Sequence, residues 1–280
     1  MRGYALRAAE RAAAIAGLAT AVVVLMAGCA LIGVGVAGAG GAVAGIAVAG
    51  LLTVAVHAWG IRLALSAMLA RPVSEVEHPE LYRLVRELST AGRLPVPRLY
   101  VSPAEQPNSF TVGRGPRTAT VCCTQGLLRV LDEAELRGVL GHELAHVSGR
   151  DVLAATMSAG LATVITFPAG LTRLARPGLI VLGPVAAVLI RLAVSPEREY
   201  RADATGALLA GDPVALSSAL RKLEAQAAEL PLVADGRRLS VGHLMIASPF
   251  RAEGIARLFG THPSAAERVR RLEALAGYRR

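Results

Sequence analysis

No Asp, Glu, Lys or Arg occurs between Arg11 and Arg62, a run of 50 residues, and a stretch that long and that apolar has few ways to fold. One membrane-crossing helix takes about 20 residues, so the run holds two helices and a tight turn. Glycine weakens a helix by about 1 kcal/mol relative to alanine. The turn therefore falls in the glycine-rich stretch Gly33 to Gly45, leaving spans near residues 12–34 and 43–65. A cleavable signal peptide has an apolar region of only about 7–15 residues, and this run is too long for one. Arg2, Arg7 and Arg11 precede the first span, Arg62 and Arg71 follow the second, and the turn is uncharged. The bias of basic residues toward the cytoplasmic side then puts both ends in the cytoplasm.

Composition points the same way. The chain is 53% hydrophobic and 18% charged, with 29 Gly and only 4% aromatic residues. That is too apolar for an ordinary soluble domain, and it is rich in the small residues that let membrane helices approach closely. It excludes disorder, collagen and a soluble disulfide scaffold. The net charge of +9 comes almost entirely from arginine, Lys222 being the only lysine. These arginines flank apolar segments or dot the C-terminal third, without the aromatic interleaving of a nucleic-acid surface, so anionic lipid is the expected partner and nucleic acid is not. Cys29, Cys122 and Cys123 have no metal-ligand spacing. Adjacent Cys122 and Cys123 would point to opposite faces of a strand, and all three read as reduced thiols in a cytosolic setting.

Residues from His78 to Gly149 read as soluble α+β. Leu81, Leu84, Val85 and Leu88 recur at helical spacing behind Pro79, which suits a first turn. Three β-prone runs follow, Arg98 to Val101, Asn108 to Val112 and Thr118 to Thr124, separated by turn formers; they predict a small antiparallel sheet. Asp132 with Glu135 three residues on is a capping-box start for a helix whose apolar stripe is Leu136, Val139, Leu140 and Val147. A second uncharged gap of 21 residues separates Asp151 from Arg173, enough for one span, and a third of 14 separates Arg176 from Arg191. The third suits a core or re-entrant helix as well as a span. Asp212 and Pro213 then open a helix running to about Ala228, and an Arg-rich polar tail follows. The expected organisation is a transmembrane hairpin over 1–70, a cytosolic domain over 71–151, a second apolar hairpin over 152–194, transmembrane or re-entrant, and a return to the cytosolic domain over 195–280. The fold class is mainly α with a small antiparallel β-sheet.

The chemistry lies in His142-Glu143-Leu144-Ala145-His146. Positions i and i+4 share a helix face, so both imidazoles reach one zinc ion, while Glu143 can approach a water on that ion as a general base. A zinc hydrolase needs a third protein ligand and an open position. Beyond the second apolar hairpin, Glu199 and Asp203 are again i and i+4, a pair able to supply a ligand and a carboxylate that fixes a ligand histidine's tautomer. His57, His78 and His243 lack partners at ligand spacing and read as packing or surface histidines.

His-Glu-Leu-Ala-His at His142 with Asp151 following, Arg-Glu-Tyr-Arg-Ala-Asp at Arg198, Pro-Asn-Ser-Phe at Pro107 and Thr-His-Pro at Thr261 stand in an order that resembles the HtpX-type membrane metalloproteases, relatives of the CAAX prenyl endopeptidases. The resemblance covers roughly residues 1–275. It implies multi-pass membrane helices with a zincin-like (gluzincin) domain facing the cytosol of a cell membrane, and one Zn2+ per chain held by His142, His146 and Glu199. Asp203 would support a ligand, Glu143 would be the base, and His262 and Arg268 would lie near the zinc and the scissile carbonyl. Asn108, Ser109 and Phe110 would begin the edge strand that receives an extended polypeptide. The implied role is cleavage of misfolded or membrane proteins. Two alternatives are a CAAX-type prenyl-protein endopeptidase and a proteolytically inactive membrane scaffold. The oligomeric state is not readable from the sequence.

Overall fold

Two helical arms, folded back on each other, lead the chain. Helix α1 (Arg2–Ala67) is broken inside by Ala37 (φ −146°) and Gly38 (φ +59°), and the positive φ at Gly38 is one that glycine adopts at no steric cost. A Cβ at Gly33 would collide with the carbonyl of Gly41, and one at Gly45 with that of Cys29. The arms therefore touch backbone to backbone where side chains are missing. Farther from the turn, Leu18, Val22 and Leu25 pack in one cluster with Val56, which makes the arms antiparallel. Their outer faces are bare, Leu31 being 73% and Val36 82% exposed. The computed structural model describes residues 2–149, 151–170, 183–188, 190–191, 195–251, 253, 258–259 and 263–277.

A strand β1 (Arg71–Pro72) leads to α2 (Pro79–Ala91), whose buried residues are Leu81, Leu84, Val85, Leu88 and Ser89, the expected stripe. Strands β2 (Arg98–Ser102), β3 (Ser109–Val112) and β4 (Thr120–Thr124) join β1 in one sheet of order β1-β2-β4-β3. The sheet is mixed, which corrects the antiparallel expectation. β3 does pair antiparallel with β4, but β4 lies between β3 and β2 and runs parallel to β2. Two chain reversals give β2 and β4 the same direction. A meander would have kept them apart, whereas the 103–108 connection carries β3 to the far edge. That connection is tied down by Thr124, whose hydroxyl accepts from Asn108 N at 2.9 Å and donates to Gln106 O at 2.8 Å. All five β4 residues are buried. Cys122 and Cys123 belong to opposite-face clusters, and burial pushes both thiols up.

After a short α3 (Gln125–Val130), helix α4 (Glu133–Gly149) opens with the expected reciprocal cap, Glu135 N donating to Asp132 Oδ1 at 2.9 Å and Asp132 N to Glu135 Oε2 at 3.1 Å. Leu140 and Leu144 join Leu84, Leu88, Val121 and Leu216 in the main core. Helix α5 (Val152–Gly170) packs against the second arm of α1, with Gly60 beside Thr156 and Gly160 beside Val56. Residues 183–188 and 190–191 are helical; the rest of the expected return from Arg176 lies outside the described residues. Three helices follow, α6 (Pro196–Ala210), α7 (Pro213–Glu229, capped by Asp212) and the short α8 (Gly236–Val241). The tail expected to be merely polar forms a further helix, α9 (Ala265–Gly277), with Val269 and Leu272 in the main core.

Candidate metal centre

Helices α4 and α6 cross at two glycines. A Cβ on Gly141 would lie 2.6 Å from Gly206 O, and one on Gly206 2.5 Å from His142 N, so no side chain separates the helices at the level of the motif. This contact sets Glu199 over the histidine face of α4. Gly206→Ala must drive the helices apart; such overpacking typically costs about 1–3 kcal/mol, and zinc affinity should fall with it. A zinc titration beside a thermal unfolding curve checks this. Unchanged affinity would mean that the crossing yields without moving Glu199.

The donors of His142, His146 and Glu199 all lie within 4.8 Å of one another. His142 Nε2 and His146 Nε2 are 3.2 Å apart, and Glu199 oxygens stand 3.7 and 3.8 Å from them. His142 Nδ1 meets Asp203 Oδ1 at 2.9 Å and His146 Nδ1 meets Asp151 Oδ2 at 3.4 Å. A proton on each Nδ1 leaves two Nε2 lone pairs facing each other, an arrangement that a shared cation relieves. Bonds of about 2.05 Å in a tetrahedron put neighbouring donors about 3.3 Å apart. The donor set thus fits a metal ion with only small movements of Glu199.

The supports are themselves held. Arg268, 2% exposed, donates through Nε to Asp203 Oδ2 and through Nη2 to Asp203 Oδ1, both at 2.7 Å, and through Nη1 to Ile246 O. Burial works to raise the Asp203 carboxyl, but Arg268 and His142 outweigh it and hold it below the usual carboxylate range. Asp151 is similarly raised by burial and brought below that range by His146 and Arg198. Arg198, itself buried, sets Nε 3.6 Å from Asp151 and Nη2 3.5 Å from Glu199. Glu143 is 1% exposed, and both its oxygens accept hydroxyl hydrogens at 2.6 Å, Oε1 from Ser109 and Oε2 from Thr111.

The structure thus gathers His142, Glu143, His146, Glu199, Asp203 and Arg268. It places Arg268 on Asp203, as a brace behind His142. Ser109 faces the site on β3, whereas Phe110 lies on the other face of the sheet, in the cluster with Leu65 and Met68. Asn108 clasps the backbone of Ala247, its Nδ2 donating to Ala247 O at 2.9 Å. The outer edge of β3 is partnered here, with Ile246 N donating to Ser109 O at 3.0 Å and an antiparallel bridge from Phe110 to Met245. His262 lies outside the described residues. The sequence reading missed the brace of Asp151 on His146, the hydroxyls on Glu143 and the glycine crossing. A glycine directly before His142 and another three residues after Asp203 were the available signals for the last.

Two histidines one helical turn apart, a carboxylate brought over them by a second helix and a buried glutamate between them make the chemistry of a metalloprotease. Comparison with known proteins leads to the same class. The sequence model described as "Peptidase family M48" matches residues 75–276, and the chain belongs to that family. It is similar to proteins named "Protease HtpX homolog": 53% identical over 249 residues to that of Kineococcus radiotolerans, covering 82% of this chain and 85% of the relative. To that of Paenarthrobacter aurescens it is 49% identical over 243 residues, covering 81% and 84%. To that of Bifidobacterium longum it is 43% identical over 242 residues, covering 80% and 79%. The chain is a membrane-associated metalloprotease, carrying an apolar N-terminal helix long enough to cross a bilayer.

Proposed function

We propose that this chain is a zinc-dependent, multi-pass membrane endopeptidase that cuts misfolded or membrane proteins on the cytosolic side of the cell membrane, with one Zn2+ held by His142, His146 and Glu199. The observation that carries this reading is the convergence of those three donors within 4.8 Å, on helices that flank an apolar segment. Bound there, zinc supplies a Lewis acid for the peptide carbonyl and makes an attacking water more acidic. Glu143 takes the water's proton and passes it to the leaving amine. Asp203 and Asp151 fix the tautomers of His142 and His146, and Arg268 holds Asp203 in place. His262 is assigned beside the scissile carbonyl on resemblance alone. Substrate runs extended along β3 from Asn108 by taking the place of the Met245–Ile246 backbone on that edge, where main-chain hydrogen bonds give affinity with little sequence preference.

The membrane assignment rests on the bare arms of α1. Residues 15–36 at 1.5 Å per residue span about 33 Å, close to the hydrocarbon thickness of about 30 Å. Each arm is read as one crossing, with 152–194 a second hairpin and 71–151 and 195–280 as the two parts of the cytosolic domain.

The test is detergent-purified protein incubated with an unfolded membrane protein, with bound zinc quantified. One zinc per chain is expected, with cleavage lost on chelation and restored by stoichiometric zinc. Glu199→Ala should lose most of both zinc and cleavage. Cleavage that survives complete removal of zinc would overturn the reading.

A further inference from the structure

We infer that Ser109 and Thr111 are positioning residues for the peptide-bond reaction, two hydroxyls on one strand that clamp the carboxylate of Glu143 from both of its oxygens. The inference rests on the reading of Glu143 as the base. Alternate residues of a strand share a face, so 109 and 111 both look toward α4. Their register partners on β4, Cys123 and Val121, belong to the apolar core. The two hydroxyls thus stand on an otherwise apolar face. Ser109 is 0% and Thr111 5% exposed, and a buried hydroxyl is costly unless it is paired. Thr111 Oγ1 has another acceptor nearby, the Glu143 main-chain oxygen at 3.5 Å, yet it stands 2.6 Å from the carboxylate.

A carboxylate torsion is broad and roughly two-fold when nothing holds it. Two donors on opposite oxygens fix its plane. An ionised carboxylate offers about four acceptor sites, so the clamp leaves one on each oxygen for the water's proton. β3 is also the strand proposed to receive substrate. The element that aligns the peptide therefore also aims the base.

The experiment measures kcat and KM on the unfolded membrane protein, per mole of bound zinc, for Ser109→Ala, Thr111→Val and Thr111→Ser. Hydrogen bonds to charged groups carry enough free energy for each of the first two to lower kcat by about tenfold, with KM changed less than about twofold. Thr111→Ser, which keeps the hydroxyl, should recover most of the loss. Zinc content should be unchanged, because neither side chain touches a ligand. In a Glu143→Gln background the same substitutions should change the residual rate by less than about twofold, since coupled residues are not additive. Wild-type kcat in Thr111→Val and Ser109→Ala, or equal losses in both backgrounds, would overturn the clamp while leaving the base in place. Undiminished cleavage by Glu143→Gln alone would overturn base and clamp together.

Discussion

Glu143→Gln is expected to reduce cleavage to a small residual rate while leaving the metal site filled. The amide matches the carboxylate in size, so α4 and its contacts survive, and none of the three donors is altered. It cannot take a proton, and a positioned general base contributes about 10²–10⁴ in rate. Because the proposed mechanism also has this group return the proton to the leaving amine, the loss should lie at the upper end. The hydroxyl that faces the new amide nitrogen can rotate to accept from it while the other still donates to the amide oxygen, so the variant should be no less stable than the parent. The measurement is kcat at saturating substrate beside zinc per chain. Loss of zinc in step with activity would mean that Glu143 holds the metal rather than serving as the base.

The second large effect is expected at Arg268. Asp203 is 3% exposed and takes two of the three Arg268 hydrogen bonds. Arg268→Met leaves a buried carboxylate with only His142, and breaking a buried pair from one side costs about 3–5 kcal/mol. Asp203 remains on His142 but is no longer held, so zinc affinity should fall by less than the roughly 10–100-fold that outright loss of a ligand histidine's partner costs. The double variant Asp203→Leu with Arg268→Met separates the two effects. Stability should return toward that of the parent, since an apolar pair of similar volume is often neutral or better, while zinc affinity is low because His142 Nδ1 has now lost its carboxylate. Recovery of both would show that Asp203 serves packing alone.

Much of this was legible in the chain because it is local. The capping box at Asp132, the stripe of α2 and the i, i+4 pairs His142/His146 and Glu199/Asp203 depend only on helical geometry, and each is where its spacing places it. The glycine-rich break was legible because glycine both weakens a helix and permits the φ of Gly38. The order of the sheet was not. Placing β4 between β2 and β3 depends on Thr124 gripping a loop 16 and 18 residues away, and no periodicity encodes that. The helix carrying Arg268 was hidden by its own charge: a segment reading Ala-Ala-Glu-Arg-Val-Arg-Arg-Leu looks solvated until its one buried arginine finds Asp203, 65 residues back. The fixing of Glu143 was likewise invisible, because Ser109 and Thr111 resemble ordinary strand residues until α4 is laid across them.

The brace from Arg268 to Asp203 also orders events during synthesis. His142 and Glu143 leave the ribosome first, Asp203 follows, and the residue that holds Asp203 in place emerges 65 positions later still. The apolar arms of α1 are thus complete well before the last support of the candidate site has been made. A nascent chain that stops short of Arg268 therefore holds all three candidate donors while Asp203 still lacks its brace.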